Sequence, residues 1–152
     1  DPRIKRIPVP KGICAVITHP HMFLSTKQAR AILKREVGMA DFVWQTANLA
    51  GFISGCYTND LEMIRECLND VVIEPQRRQL IPGFSAVHAA AISAGALGCS
   101  ISGAGPTMFA WALEPQAERV RSAMLAEFAR NGVECDHWVV PVESDGARIV
   151  AA

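Results

Sequence analysis

A glycine-rich stretch between two apolar runs is the part of this sequence best suited to hold an anion. It reads SISGAGPT over residues 100–107, and the apolar runs are Ala96–Ile101 and Thr107–Leu113. Both runs are typical of half-buried strands, so we expect the glycines in a tight connection between two paired strands. Glycines leave peptide N–H groups open to a bound phosphate or carboxylate. A hairpin turn without a ligand is the commoner interpretation of such a loop taken alone.

Two arginines could share that site. Arg30 follows Thr26 by one helical turn, and Arg77 lies in a polar, proline-flanked segment. The guanidinium group is a planar fork of donors that matches a carboxylate or phosphate through two parallel hydrogen bonds. Two such forks beside the glycine-rich loop would form a site for a small anionic metabolite, whereas each arginine alone is more often simply solvated.

Other catalytic patterns are weak. His19 and His21 flank Pro20 without further ligands at suitable spacing, so we expect no metal site, and His88 suits a packed residue better than a base. The loop has neither the ending of a P-loop nor the spacing of a dinucleotide fingerprint. No Ser/His/Asp or Cys/His signature is present either.

The amino-acid composition indicates the broad class of protein. The chain has 152 residues, is 50% hydrophobic and 20% charged, and has a formal net charge of zero. These values suit one ordinary globular domain and give no support to nucleic-acid binding. The apolar runs are too short to span a bilayer, so we expect no membrane partner. Five widely spaced cysteines without a C-x-x-C pair favour free thiols in a reducing cytoplasm.

The helices and strands that must position these residues are predicted from hydrophobic periodicity and from the glycine, proline and capping residues that end each element. Predicted strands are an edge strand at 4–9, a buried strand at 13–18, the two runs beside the glycines, a strand at 134–142 and a short edge at 147–150. Predicted helices are 27–36, 41–57, 61–68, 84–94 and one that begins near Pro115 and ends at Asn131-Gly132, with a polar connection at 74–83. This order predicts an α+β, ferredoxin-like β-α-β-β-α-β sheet with helices on one face and extra helices in the first crossover.

Three motifs resemble the homoserine kinases of the GHMP kinase superfamily. Residues 98–107 are similar to the third conserved motif of that superfamily. Thr26-Lys27-Gln28-Ala29-Arg30 resembles the T-x-x-A-R stretch of the homoserine kinases, and residues 74–83 resemble their E-P-x-R…L-I-P-G segment. The motifs occur in the family's order and span almost the whole chain.

The resemblance implies roles for particular residues. Arg30 and Arg77 would hold the carboxylate of L-homoserine, with Thr26 and Gly103 in the same substrate site. The rest of the loop, at Ser102, Ala104, Gly105 and Thr107, would support the phosphate groups of ATP. The implied reaction moves the γ-phosphoryl group of ATP to the hydroxyl of homoserine, on the route to threonine. No residue stands out as a general base, so the catalytic residues are left unassigned.

The resemblance also implies that residues 1–152 are a GHMP kinase C-terminal domain. The family's main phosphate loop and its N-terminal ATP-binding half do not occur in these residues, so we expect that half to supply most contacts to ATP and Mg²⁺, and this chain alone to be inactive. Two alternatives stay open: another small-molecule kinase of the superfamily, or a non-catalytic ferredoxin-like domain that binds an amino acid or a partner. A bare surface or an exposed sheet edge would also allow a homodimer.

Overall fold

A computed structural model describes residues 6–142 and contains four strands and six α-helices within that range. In chain order they are β1 (Ile13–Pro20), α1 (Thr26–Ala31), α2 (Met39–Thr58), α3 (Leu61–Cys67), α4 (Glu74–Arg77), a 3-10 turn (Arg78–Leu80), α5 (Phe84–Ser93), β2 (Gly98–Ile101), β3 (Met108–Leu113), α6 (Glu114–Arg130) and β4 (Cys135–Pro141). The order confirms the predicted β-α-β-β-α-β pattern with extra helices in the first crossover.

The four strands form one sheet in the order β2-β3-β1-β4, and all neighbours are antiparallel. In β3, Met108, Ala110 and Ala112 are buried and the residues between them are only partly buried, which is the period-two pattern of a strand with one covered face. Because β2 and β3 pair directly, the glycine-rich segment is the connection between two paired strands, as the sequence predicts. The strand order is that of a ferredoxin-like fold.

Helices α5 and α6 cover the main face of the sheet. On α6, Val120, Met124 and Phe128 are four residues apart and fully buried against the sheet, so they form the predicted apolar stripe. Replacing a fully buried phenylalanine such as Phe128 by alanine costs roughly 3–5 kcal/mol. The helix ends at Asn131 and Gly132, where the glycine has φ +69°.

The inserted helices α2 and α3 form a second, smaller cluster with the opposite side of the sheet. Cys56 of α2 and Ile64 of α3 pack in one buried group with Ile13 and Leu97, and the rings of Phe52 and Trp111 lie 5.2 Å apart between centroids. The crossover helices therefore close part of the second face, an arrangement that the sequence pattern did not indicate.

Three local predictions differ from the structure. Residues 6–10 have no regular structure, so within the described range the edge strand predicted at 4–9 does not form. The helix predicted over 27–36 spans only Thr26–Ala31. The connection predicted at 74–83 contains α4 and the 3-10 turn. The short edge predicted at 147–150 lies outside the described residues. Over the described range, the structure has no helix with the length and apolarity needed to cross a bilayer.

Candidate functional site

The glycine-rich loop is fixed by its own backbone and by close packing. The amide of Ser102 donates to the carbonyl of Thr107 at 2.8 Å, and the amide of Gly105 donates to the carbonyl of Ser102 at 3.0 Å. Gly103 and Gly105 have φ of +61° and +82°, a region that favours glycine. A Cβ atom on Gly105 would lie 3.3 Å from both Leu24 and Ile81, so the loop backbone is held close against its neighbours.

Arg77 joins two elements that are distant in the sequence. Its Nε donates to the carbonyl of Ala29 in α1 at 3.0 Å, and its Nη1 donates to the carbonyl of Gly103 at 2.9 Å. One guanidinium group therefore bridges α1 and the glycine-rich loop. Within residues 6–142, its Nη2 group has no acceptor, so the end of the fork stays available to a ligand.

Thr26 and Arg30 lie one turn apart on α1 and are both exposed. Arg30 directly follows Ala29, whose carbonyl accepts from Arg77, so the two arginines belong to adjoining elements. Ala29 itself is fully buried and anchors the helix, while the hydroxyl of Ser25 caps its start by accepting from the amide of Lys27 at 3.2 Å. The arginine side chain of α1 thus projects from a helix that Arg77 holds in place.

Further donors lie at the loop. Over the part of the chain that the structure describes, the amides of Gly103 and Ala104 have no hydrogen-bond acceptor. Both residues are at least partly accessible. Two adjacent unpaired amides beside a guanidinium group form a donor-rich surface on which an anion is stabilised. These donors lie at the loop where the sequence predicts an anion site.

Thr107 has a partner that the sequence did not reveal. His19, near the end of β1, lies with its Nδ1 2.7 Å from the hydroxyl of Thr107. The contact follows from the pairing of β1 with β3, which brings the ends of these strands together across 88 residues of chain. The contact fixes the C-terminal end of the glycine-rich loop. His19 and Thr107 become neighbours only because β1 pairs with β3 in this register.

Glu74 is a second residue of the site region without a role in the sequence analysis. Its carboxylate accepts a hydrogen bond from the hydroxyl of Ser100 at 2.5 Å, which ties α4 to β2. Burial raises the pKa of the Glu74 carboxyl, and the hydrogen bond from Ser100 offsets part of that rise. The signal was present in the E-P-x-R segment, where a glutamate occupies the first position of α4.

A network behind the site sets the position of α4. The carboxylate of Asp70 accepts from the amides of Val72 and Ile73, both at 2.8 Å, and from the amide of Glu74 at 3.1 Å. The buried Asn48 of α2 donates to the carbonyl of Asn69 at 2.9 Å. These bonds orient the start of the helix that ends with Arg77. Loss of the Asp70 or Asn48 side chain would therefore displace the guanidinium group of Arg77.

A cleft of about 240 Å³ adjoins this network between α2 and strands β2 and β3. Its polar lining includes Gln45, Asn48, Asp70 and Ser100, and the rest is mainly apolar. Most of these polar groups already have protein partners: Gln45, for example, accepts from the amide of Val71 at 2.9 Å. The polar groups of the cleft therefore stabilise the segment that leads into α4.

Cys99, which directly precedes Ser100, is a poor nucleophile. All five are free, and burial, reinforced by the charge of Glu74, raises the pKa of the Cys99 thiol to about 12. A thiol with that pKa is protonated at neutral pH and is a poor nucleophile.

Among residues 6–142 there is also no group of three or more His, Cys, Asp or Glu side chains placed to hold a metal ion.

The structure is a ferredoxin-like sheet in which the glycine-rich loop joins the paired strands β2 and β3. The family model "GHMP kinases C terminal" matches residues 52–131, which include Arg77 and the whole loop. The chain belongs to the GHMP kinase family and carries its C-terminal domain.

Relatives with high similarity are homoserine kinases. The chain is 43% identical to homoserine kinase of Xylella fastidiosa strain M12 over 149 residues, and 43% identical to that of Chlorobaculum tepidum over 145 residues. These alignments cover 97% and 93% of this chain but only 46% and 45% of the relatives. The chain therefore spans about half the length of the curated relatives it matches.

Solved structures of the same family also resemble this chain. The crystal structure of homoserine kinase from Cytophaga hutchinsonii superimposes with a TM-score of 0.89 at 40% identity, over 92% of this chain and 45% of that one. Mevalonate kinase of L. major, solved with R-mevalonate, has a TM-score of 0.68 at 16% identity over 94% of this chain and 46% of that one. The second likeness shows the fold alone.

Proposed function

We propose that residues 1–152 are the C-terminal, substrate-side domain of a homoserine kinase, which transfers the γ-phosphoryl group of ATP to the hydroxyl of L-homoserine in threonine biosynthesis. The observation that carries the proposal is the bridge formed by Arg77, whose guanidinium group contacts both α1 and the glycine-rich loop. The bridge joins Arg77 to α1, the helix that carries Arg30, and to the loop in which the amides of Gly103 and Ala104 have no acceptor among the described residues. The similarity to homoserine kinases supports the choice of substrate.

Arg30 and Arg77 would bind the α-carboxylate of homoserine, and Thr26 would line the same pocket. A carboxylate is matched by guanidinium donors in a way that lysine does not reproduce, and Arg77 keeps its Nη2 group for this task. Because Nε and Nη1 are anchored to backbone carbonyls, the fork is held in one orientation before the substrate arrives. Preorganisation of this kind places the substrate hydroxyl for transfer.

The loop residues Ser102, Gly103, Ala104, Gly105 and Thr107 would face the phosphate groups. In the transfer, the hydroxyl oxygen of homoserine forms a bond to the γ-phosphorus while the bond to the β,γ-bridging oxygen breaks. ADP leaves with the bridging oxygen, and the acceptor of the hydroxyl proton is not assigned. Backbone N–H groups fixed at the loop stabilise the charge that spreads over the phosphoryl oxygens.

The ATP-binding half and the ligands of Mg²⁺ belong, in this proposal, to a part of the intact gene product outside residues 1–152. The metal would neutralise charge on the ATP phosphates when bound. We expect these residues alone to show no turnover. The free state of all five cysteines supports placement in a reducing cytoplasm.

The test is the reaction of the intact gene product with ATP, Mg²⁺ and a set of small alcohols that includes L-homoserine, L-serine and R-mevalonate. Phosphorus NMR and mass spectrometry identify the product directly. We expect O-phosphohomoserine, formed in a 1:1 ratio with ADP. Preferred phosphorylation of another alcohol would assign a different kinase of the family, and binding of homoserine without ADP release would favour the non-catalytic alternative.

A further inference from the structure

Both ends of helix α4 are tied to one short segment of the chain. Its first residue, Glu74, accepts a hydrogen bond from the hydroxyl of Ser100 at 2.5 Å, and its last residue, Arg77, donates from Nη1 to the carbonyl of Gly103 at 2.9 Å. Each bond joins residues 26 positions apart, so α4 and the segment 100–103 run side by side in the same direction. The two bonds close a ring that contains Arg77 and the start of the glycine-rich loop.

The two charged ends of α4 do not pair with each other. A glutamate and an arginine three positions apart on a helix can form an ion pair. Among residues 6–142, however, neither Glu74 nor Arg77 takes part in a salt bridge. Both side chains are partly buried and contact the strand and the loop beside them. Burying a carboxylate costs free energy unless a donor satisfies it, so the hydroxyl of Ser100 fixes where the start of α4 can lie.

The backbone of α4 is held separately from the side chain of Glu74. The carboxylate of Asp70 accepts from the amide of Glu74 at 3.1 Å and caps the N-terminal backbone of the helix. Over the described range, the bond from Ser100 is the one hydrogen bond between α4 and β2. Because α4 is a single turn with a rise of about 4.5 Å from its first to its last residue, a tilt away from β2 at Glu74 would also move Arg77.

We propose that Glu74 is a positioning residue of the candidate site: by holding α4 on Ser100, it keeps the free Nη2 group of Arg77 in the orientation that binds the carboxylate of the substrate. This inference rests on the proposed function, and it adds a residue that does not touch the substrate. Because Glu74 acts through Arg77, its removal should affect only substrates that carry a carboxylate.

The kinetic test compares L-homoserine with 3-amino-1-propanol, which lacks the carboxylate, as substrates of the intact gene product. In Glu74→Ala we expect KM for homoserine to rise about tenfold with kcat within about twofold, since the loss of one charged hydrogen bond misplaces the guanidinium fork without removing it. The kcat/KM for 3-amino-1-propanol should stay unchanged. A merely structural role would lower kcat/KM for the two alcohols by the same factor.

Three further variants isolate the contribution of the side chain. Glu74→Gln keeps an acceptor oxygen for Ser100 and should recover most of the loss. Glu74→Ala placed in an Arg77→Ala background should cost nothing more, because non-additivity marks residues that act through one another. The matched control is Glu62→Ala: this glutamate also precedes an arginine, Arg65, by three positions on a short helix, but it is 77% exposed, so its loss should leave both KM and kcat unchanged.

An NMR measurement tests the positioning of Arg77 without any substrate. The Nε–H signal of Arg77, assigned by its absence in Arg77→Ala, should exchange slowly with solvent in wild type because this group donates to the carbonyl of Ala29. In Glu74→Ala it should exchange as fast as the signal of Arg130, which is 73% exposed, and in Glu74→Gln it should exchange slowly again.

The two measurements separate this proposal from the proposed function. If the intact gene product phosphorylates a different alcohol, the proposed function fails, and the exchange rate of Arg77 still decides whether Glu74 positions it. An unchanged exchange rate in Glu74→Ala, an equal loss for both alcohols, or a full additional loss in the Arg77→Ala background would each overturn the proposal.

Discussion

Replacing Arg77 by alanine removes its hydrogen bond to Ala29 of α1, its hydrogen bond to Gly103 of the glycine-rich loop, and the free end of the guanidinium fork. A hydrogen bond from a charged donor contributes about 1.5–3 kcal/mol, and the contact with Gly103 is solvent-exposed and therefore lies near the lower limit. We expect a loss of about 2–4 kcal/mol in transition-state stabilisation. That corresponds to roughly a 30- to 700-fold lower kcat/KM for homoserine.

The assay is ADP release by the intact gene product as a function of homoserine concentration at saturating ATP. Arg77→Lys separates charge from geometry: it keeps the positive charge but cannot form the same pair of bonds, so it should recover only a small part of the loss. Arg130→Ala is the matched control, because this arginine is 73% exposed at the end of α6 and, among residues 6–142, pairs only with Glu127. An Arg77→Ala enzyme within threefold of wild type would refute the assigned role.

Three further outcomes follow from the same structure. Arg30→Ala should raise KM for homoserine more than it lowers kcat, because its exposed side chain contributes binding rather than loop position; an unchanged KM in steady-state kinetics would contradict this. Gly105→Ala should lower stability in denaturant unfolding by more than Gly103→Ala, since both have positive φ but only Gly105 has neighbours within 4 Å of an added Cβ; equal losses would contradict the packing argument. Glu74→Gln should gain stability relative to wild type as pH rises from 4 to 7. The raised pKa means that the folded state holds the proton longer than the unfolded state, so wild-type stability falls through that interval; parallel pH profiles in chemical unfolding would contradict it.

Elements with strong periodicity were predictable because their own side chains determine them. The stripe of α6 and the alternation of β3 follow from residues that are buried at helical and strand spacing, and the structure confirms both. The pairing of β2 with β3 followed from the short glycine-rich connection between two apolar runs. These are local signals, so the sheet topology could be derived from them.

Elements that depend on distant contacts were not predictable. Helix α1 ends at Ala31, and shortly afterwards the amide of Lys34 donates to the side chain of Gln76 at 2.8 Å, a contact across 42 residues. Residues 6–10 lie against the second cluster through Val9, and the hydroxyl of Tyr57 donates to the carbonyl of Arg6 at 2.9 Å, so they do not form an edge strand. Side-chain contacts of this kind have no periodic signature in the sequence.

In the candidate site too, the residue types were predictable from the sequence, whereas their contacts were not. The residue types at Arg30, Arg77 and the glycine-rich loop indicated anion chemistry, and the motif resemblance indicated which anion. The bridge by Arg77 to Ala29 and Gly103 needed coordinates, as did the contacts of His19 with Thr107 and of Glu74 with Ser100. Each joins residues that are 26 or more positions apart.

The central claim is that two guanidinium forks recognise the carboxylate of the substrate. The most direct measurement compares kcat/KM for L-homoserine with that for 3-amino-1-propanol, which is homoserine without its carboxylate, in wild type and in Arg77→Ala. We predict strong preference for homoserine in wild type and a preference at least tenfold weaker in the variant, because the lost fork no longer distinguishes the two alcohols. A preference that is equal in the two proteins would show that the carboxylate is bound elsewhere.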